Sequence, residues 1–173
     1  YIKNYCILMD IPLSIERIVI VASGSSYNAG FLGKYFFQNI AQIETGVEFA
    51  SEFNYSDFEN YDKKALYIFI SQSGKSADTL SAFNKVRQKG IKTLCITNNE
   101  NSPMHLESDY KFNIQAGREN AIAATKTFSA SVLMLWLIAC KAAQNKMIDI
   151  SDEIQNIYML GKNIEETLNN IDN

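Results

Sequence analysis

Five short apolar runs alternate along the chain with longer segments whose apolar residues recur at helical spacing. The apolar runs are rich in the β-branched and aromatic residues typical of strands, and they cover residues 17–22, 45–50, 66–70, 93–97 and 110–114. The helical segments cover residues 27–40, 77–89, 104–108, 123–143 and 151–168. The stretch at 52–64 follows neither period, and we interpret it as a loop or a short helix.

This alternation predicts an α/β fold, a three-layer sandwich in which one parallel sheet of five strands is covered by helices on both faces. The runs at 17–22 and 66–70 show no alternation of polar and apolar residues, as is typical of strands buried on both faces. The alternation alone does not determine the strand order. In the order 2-1-3-4-5, strands 1 and 3 would be neighbours, and a ligand would bind beyond their carboxyl ends.

Two of the predicted strands are followed at once by serine-rich turns that lead into helices. The turns are residues 23–26, Ser-Gly-Ser-Ser, and residues 71–76, Ser-Gln-Ser-Gly-Lys-Ser. A helix N-terminus directs free backbone N–H groups and partial positive charge at whatever lies in front of it, and hydroxyl groups add neutral donors. This chemistry suits the capture of a small anion, above all a phosphate. Serine and glycine are also ordinary turn and N-cap residues, so a purely structural role for each turn stays open.

Composition and charge narrow the classes of function. The chain has 173 residues, of which 47% are hydrophobic and 20% are charged, as in a globular domain with a sizeable core. The net charge of -3 argues against a nucleic-acid-binding surface, which needs a basic excess. The longest apolar stretch, residues 131–139, is too short to span a membrane, so no membrane partner is expected.

The cysteines and residues 1–14 provide information on the cellular compartment and on whether the protein binds a metal. Cys6, Cys95 and Cys140 lie far apart and show neither the spacing of a metal site nor a disulfide framework. We therefore expect no metal, no cofactor and a cytoplasmic location with a reducing environment. Residues 1–14 lack the basic and apolar segments of a signal peptide, and we interpret them as the end of a preceding helix.

Three segments of the chain resemble the motifs of one family, the sugar isomerase (SIS) domain. Residues 22–28, Ala-Ser-Gly-Ser-Ser-Tyr-Asn, are similar to the first glycine turn of that family. Residues 71–79, Ser-Gln-Ser-Gly-Lys-Ser-Ala-Asp-Thr, are similar to its phosphosugar loop. Residues 119–128, Glu-Asn-Ala-Ile-Ala-Ala-Thr-Lys-Thr-Phe, are similar to a third motif. The likeness extends over residues 17–143 and implies a flavodoxin-like sheet of five parallel strands in the order 2-1-3-4-5.

The resemblance also implies a ligand, a hexose 6-phosphate or an amino-sugar phosphate, and the residues that bind it. Six positions match residues that hold the phosphorylated sugar in the family: Ser25, Ser26, Ser71, Gln72, Ser73 and Ser76. Five more are candidates to line the same pocket: Gly24, Gly74, Glu119, Ala124 and Lys126. Two positions depart from the family pattern, because Lys75 stands where a glutamate is usual and Ala124 where many members have a sugar-contacting serine.

No catalytic residue is assigned from the sequence. In enzymes with two SIS domains, the resemblance implies that the catalytic base and the ring-opening histidine come largely from the second domain and a C-terminal segment. We interpret Glu119 first as a carboxylate that stabilises a helix start. The single histidine, His105, is interpreted as a structural or surface residue.

Two functions stay open at this stage. The first is part of an enzyme that isomerises, aminates or deglycates hexose 6-phosphates, with residues 15–146 as the SIS domain and residues 147–173 as a linker helix towards a second SIS domain. The second is a regulatory module that senses a phosphosugar. The helix at 123–143 is apolar over much of its surface, so it should be buried against the sheet as a core helix or against a second subunit. Together with the pairing of family members through helices, such a surface is compatible with a homodimer, which we expect.

Overall fold

The computed structural model describes residues 9–56, 61–120 and 123–171, which contain five strands and six helices. The strands are β1 (Arg17–Ala22), β2 (Glu44–Phe49), β3 (Leu66–Ile70), β4 (Thr93–Thr97) and β5 (Tyr110–Asn113). The helices are α1 (Gly24–Asn39), α2 (Ala50–Phe53), α3 (Ala77–Gln88), α4 (Pro103–Glu107), α5 (Lys126–Asn145) and α6 (Ser151–Ile171). Most of the segment interpreted as the end of a preceding helix, residues 1–8, lies outside the described residues.

The five strands form one parallel sheet in the order β2-β1-β3-β4-β5. This order confirms the predicted α/β fold and the strand order that the family resemblance implies. The strand order reverses between β1 and β3, because the chain passes from β1 outward to β2 and then returns to the far side of β1. In parallel sheets this reversal is where ligands bind.

The centre of the sheet is buried on both faces. Every residue of β3 and β4 is buried, whereas the edge strands β2 and β5 are partly exposed. One apolar cluster joins the sheet to Phe37 of α1 and Leu135 of α5. A second cluster joins the other face to side chains of α2, α3 and α4, among them Phe83 and Met104. Burial of these apolar side chains is the main stabilising contribution to the three-layer arrangement.

Helix α1 approaches both β1 and α5 closely through two glycines. A Cβ atom on Gly30 would lie 2.8 Å from Cγ2 of Ile20, which is on β1. A Cβ atom on Gly33 would lie 2.9 Å from Cδ1 of Leu135, which is on α5. Each glycine weakens a helix by about 1 kcal/mol relative to alanine, so the close packing accounts for their presence here.

Two helices begin at positions that differ from the prediction. Helix α1 begins at Gly24 rather than at residue 27, so Ser25 and Ser26 lie in its first turn. Helix α5 begins at Lys126 rather than at residue 123, so Ala124 precedes it. Apolar spacing locates the buried face of a helix but carries no information on a polar or small-residue first turn, which explains both differences.

Helix α5 extends well beyond the apolar stretch at residues 131–139, and much of it is buried. Its 20 residues are long and apolar enough to cross a membrane by length and composition, which corrects the estimate made from residues 131–139 alone. However, 50% of its apolar window is buried inside the protein, where Leu135 and Ile138 are fully enclosed. Since the core helix of a layered α/β protein has the same properties, we interpret α5 as part of the core.

Helix α6 presents an apolar stripe that the described chain covers only in part. None of its side chains is buried, and Leu160, Ile164 and Leu168 are about half exposed. Its first half borders a groove of about 360 Å³, which is lined mainly by Phe36, Val132, Leu133, Trp136, Ile157 and Leu160. The stripe and the groove together form an apolar surface on the side of α1 and α5.

Replacement of Gly30 by alanine should destabilise the fold, although alanine favours helices. The new methyl group would meet Ile20, a buried β-branched side chain with little freedom to move. We expect the free energy of unfolding to fall by about 1–3 kcal/mol in urea titrations. Gly161→Ala in α6 is the matched control, because its Cβ would meet no atom within 4 Å. Equal stabilisation by both substitutions would contradict the close packing of α1 on β1.

Candidate functional site

The two serine-rich turns begin side by side at the carboxyl edge of the sheet. Ala22, the last residue of β1, pairs with Ile70, the last residue of β3. Ser23 and Ser71 therefore leave neighbouring strands at the same level, and neighbouring strands lie about 4.8 Å apart. The structure thus brings the turn at 23–26 and the turn at 71–76 together at the point where the strand order reverses.

The turn at 71–76 is held in shape by its own hydroxyl groups. The buried Ser71 accepts a hydrogen bond from the Gly74 N–H at 3.1 Å, and its hydroxyl lies 2.9 Å from that of Ser76. The Ser73 hydroxyl accepts a hydrogen bond from the Lys75 N–H at 3.2 Å. These bonds give the turn one conformation before any ligand is considered, which is a requirement for tight anion binding.

The same turn is also tied to the end of β4. The Gln72 carbonyl accepts hydrogen bonds from the Thr97 hydroxyl at 3.2 Å and from the Asn98 N–H at 3.0 Å. The Asn99 side chain donates to the Ser73 carbonyl at 3.3 Å. With its carbonyl groups bonded to β4, the turn is held from behind, and the exposed side chain of Gln72 stays available to a ligand.

Gly74 is required at its position for two reasons. Its φ of 63° lies in the left-handed region, which side-chain-bearing residues rarely adopt. In addition, a Cβ atom there would collide with the hydroxyl of Ser102. Ser102 is fully buried and caps α4 by accepting a hydrogen bond from the His105 N–H at 3.3 Å. The turn therefore packs directly on the start of α4.

The turn at 23–26 offers unpaired donors. The first hydrogen bond of α1 runs from the Tyr27 N–H to the Ser23 carbonyl at 3.4 Å, so the N–H groups of residues 24–26 have no helical acceptor. Within the described ranges, neither Ser25 nor Ser26 makes a side-chain hydrogen bond, and both are half-buried. The Ser23 hydroxyl lies 3.4 Å from that of Thr79 on α3.

A third segment, residues 115–120, joins the same edge through Asn98. The Asn98 side chain donates to the Gly117 carbonyl at 2.6 Å and accepts from the Ala116 N–H at 2.9 Å. The side-chain nitrogen of Lys126 lies 3.8 Å from where a Cβ atom on Gly117 would be. Because Asn98 also bonds to Gln72 through its backbone, the third segment is connected to the turn at 71–76.

Glu119 caps the start of α5. Its carboxylate accepts hydrogen bonds from the N–H and hydroxyl groups of Thr125 at 3.0 and 2.8 Å, and from the N–H of Thr127 at 3.3 Å. It also accepts a bond from the Thr127 hydroxyl, which contributes most to lowering the pKa of Glu119 to about 2. A carboxylate with so low a pKa is a poor general base at neutral pH.

For two further basic residues, Lys75 and His105, the geometry indicates no role in ligand binding. Lys75 is exposed, and none of the ion pairs in the described part of the chain includes it. His105 is half-buried on α4, and burial together with the nearby Lys111 lowers its pKa. Across residues 9–56, 61–120 and 123–171, no three His, Cys, Asp or Glu side chains come together to hold a metal ion.

The sequence analysis missed three residues that shape this edge: Thr79, Asn98 and Asn99. Thr79 is fully buried in the first turn of α3, and it was noted only as part of a motif. Asn98 and Asn99 follow directly after β4, and no motif in the sequence singles them out. Their position directly after a buried strand, as for the two serine-rich turns, was the signal that could have identified them.

Comparison with known proteins gives relatives over most of the chain. Residues 13–141 match the SIS domain family. Isomerizing glutamine–fructose-6-phosphate aminotransferase of Halalkalibacterium halodurans is 40% identical over 159 residues, covering 91% of this chain and 26% of that protein. The protein of the same name from Aquifex aeolicus is 36% identical over 164 residues, covering 92% of this chain and 26% of that protein. The chain therefore spans about a quarter of the length of these relatives.

A solved structure agrees with this result. The C-terminal domain of glucosamine-fructose-6-phosphate aminotransferase from Francisella tularensis superposes with a TM-score of 0.79 at 32% identity. The match covers 94% of this chain and 50% of that chain. These comparisons confirm the resemblance that the motifs at 22–28, 71–79 and 119–128 indicate.

Replacement of Glu119 by glutamine should remove a stabilising contribution that depends on pH. Hydrogen bonding lowers the pKa of Glu119 from 4.5 to about 2, so the contribution is complete above pH 4.5 and is lost as the pH falls towards 2. Urea titrations should therefore show the wild type more stable than Glu119→Gln at neutral pH, with a difference that shrinks below pH 4.5. Glu165→Gln on the exposed helix α6 is the charge-matched control. A difference that is the same at all pH values would contradict the capping role.

Proposed function

This chain belongs to the SIS domain family, and on that premise we propose that it binds the phosphate group of a hexose 6-phosphate or an amino-sugar phosphate. The proposed site is the carboxyl edge of the sheet between the turns at 23–26 and 71–76. The observation that carries the proposal is the convergence of the N-termini of α1 and α3 at this edge. Their free N–H groups can donate to the oxygen atoms of one phosphate.

The hydroxyl groups supply the remaining donors. Ser25, Ser26 and Ser73 are half-buried at the proposed site, and Ser76 is exposed. Ser71 is buried, and we assign it the role of holding the turn and orienting Ser76. A phosphate dianion can be bound by such neutral donors because the two helix N-termini supply the favourable electric field. An exposed cation such as Lys75 adds only a weak, salt-dependent attraction.

We propose that the chain is part of an enzyme acting on hexose 6-phosphates by aldose-ketose isomerisation, amino transfer or deglycation. The aminotransferase names of relatives at 36% to 40% identity favour an enzyme over the alternative of a phosphosugar sensor. Isomerisation needs a base near the reacting C–H group. We assign no residue of this chain to that step, and we propose that a second SIS domain supplies it.

The segment before α5 contributes to recognition of the sugar moiety. Ala124 is half-buried there and stands where many family members have a hydroxyl group that contacts the sugar. A buried polar contact of this kind discriminates strongly between sugars, because its loss leaves a hydroxyl group of the ligand unpaired. We therefore propose that this protein selects among phosphosugars differently from members with serine at this position.

We further propose that the chain forms a homodimer and occurs in the cytoplasm. The apolar stripe of α6 and the groove beside it are an unusually apolar exposed surface, and such surfaces mark interfaces. The two cysteines in the described part of the chain, Cys95 and Cys140, are buried and form no disulfide bond there, which suits a reducing compartment.

Ser73→Ala should abolish phosphosugar binding without unfolding the protein. The Ser73 hydroxyl accepts a bond from the Lys75 N–H and can donate its own proton to a phosphate oxygen. The measurement is the melting temperature with fructose 6-phosphate, glucose 6-phosphate, glucosamine 6-phosphate and inorganic phosphate. Ligand that binds only the folded state raises the melting temperature in step with its affinity. We expect at least one phosphosugar to stabilise the wild type, and the stabilisation to be lost in the variant.

Ser81→Ala is the matched control for this experiment, because Ser81 is exposed on α3 one turn beyond the proposed site. It should respond to every ligand as the wild type does. If none of the four compounds stabilises the wild type, or if Ser73→Ala is stabilised as strongly as the wild type, the proposed phosphate site is wrong. Stabilisation by inorganic phosphate alone would support a phosphate site but contradict recognition of the sugar.

Ile164→Glu should shift the proposed homodimer towards monomer. Ile164 is 51% exposed in the middle of the α6 stripe, where a buried carboxylate would be costly at an interface. Asn170→Glu introduces the same charge away from the stripe and should leave the association unchanged. Sedimentation of the two variants and the wild type over a range of micromolar concentrations measures the effect. A wild type that stays monomeric, or a dimer that Ile164→Glu does not weaken, would contradict the proposal.

A further inference from the structure

Thr79 combines a fully buried position with a polar side chain. It has no exposed surface, and it shares the buried face of α3 with Ala82, Phe83 and Val86. A hydroxyl group in such surroundings lowers stability unless it finds a hydrogen-bonding partner. Valine has the same branched shape without this penalty, so packing alone does not explain a threonine here.

The hydroxyl of Thr79 connects the two turns of the proposed site. It lies 3.4 Å from the hydroxyl of Ser23, the residue that precedes α1. Helices α1 and α3 cover opposite faces of the sheet, so the sheet separates them along most of their lengths. Their N-termini come together at the carboxyl edge, where the contact between the Thr79 and Ser23 hydroxyl groups connects the two helices.

We infer that Thr79 is a positioning residue that sets the spacing between the N-termini of α1 and α3, so that one phosphate group reaches the donors of both. The inference rests on the proposed function and identifies how the two halves of that site are held in register. Thr79 does not touch the ligand and acts through Ser23. An error of even about 1 Å in such a site weakens binding strongly, because each donor must lie within hydrogen-bonding distance of an oxygen atom.

The distance between the Thr79 and Ser23 hydroxyl groups indicates in which state of the protein their contact is stabilising. At 3.4 Å it is longer than the 2.7–2.8 Å typical of bonds between hydroxyl groups, so it stabilises the unliganded protein little. We expect the contact to shorten when one phosphate is bound by both turns. The Thr79 hydroxyl should therefore contribute more to the complex than to the free protein.

Two substitutions at this position separate the hydroxyl group from the methyl group. Thr79→Val should leave the melting temperature of the unliganded chain unchanged or raised, and it should weaken the binding of fructose 6-phosphate and of inorganic phosphate about threefold to tenfold. Thr79→Ser should lower the melting temperature, because it removes a buried methyl group, and should retain most of the affinity. Calorimetric titration of the full chain gives the dissociation constants. A purely structural role would instead make affinity follow stability in both variants.

Thr45→Val is the matched control, since Thr45 is 3% exposed at the opposite end of the sheet and donates to the Ile43 carbonyl at 3.0 Å. It should leave the affinity unchanged. Ser23→Ala should weaken binding as Thr79→Val does, and the double variant should be no weaker than either single variant. Unchanged affinity in Thr79→Val, or losses that add in the double variant, would overturn the inference while the proposed function stands. A wild type that binds neither inorganic phosphate nor any of the three phosphosugars named above would overturn the proposed function itself.

Discussion

The parallel pairing of β1 with β3 is the constraint on which the candidate site depends. It places Ala22 opposite Ile70, so both serine-rich turns leave the sheet at one level. A slip of one residue would move one turn by about 3.3 Å and would turn every side chain of the strand to the other face. Because the two faces are covered by different apolar clusters, such a slip would disrupt the packing on both sides, so the packing that stabilises the core also determines where the donors of the site lie.

The hydroxyl groups at this edge divide into two sets with different roles. Those of Ser71, Thr97 and Ser102 are directed into the protein, where they bond to the backbone and keep the turn rigid. Those of Ser25 and Ser26 have no side-chain hydrogen bond within the described residues. Because the first set fixes the turn at 71–76, this turn needs no further ordering when a ligand binds between it and the serines of the other turn, which reduces the entropic cost of binding. The glycine at position 74 is needed for this arrangement, since any side chain there would displace the Ser102 cap.

The sequence predicted the fold class, the five strands and the two serine-rich turns, because these depend on local patterns of burial and turn chemistry. Beyond the strand order that the family resemblance implies, it did not predict which side chains of distant segments bond to one another. The bond network of Asn98 with Gln72 and Gly117 joins residues that only the strand order brings together. The helix starts at Gly24 and Lys126 were also misplaced, since their first turns contribute little to the buried face. Residues 57–60, which fall in the stretch interpreted as a loop or a short helix, and residues 121–122 lie outside the described residues.

The electrostatics of the edge indicate a binding surface rather than a complete catalytic centre. For a carboxylate to act as a general base near neutral pH, its pKa must be raised towards 7. The carboxylate of Glu119 has its pKa shifted in the opposite direction, to about 2, by four bonds that cap α5. His105 donates its backbone N–H to the cap of α4, and burial lowers its pKa, so it is not poised as an acid. Groups that hold an anion are therefore well developed on this edge, whereas neither Glu119 nor His105 is suited to move protons near neutral pH. This division of roles agrees with the proposed function, in which this chain binds the phosphate group of a phosphosugar and a second SIS domain supplies the proton transfer.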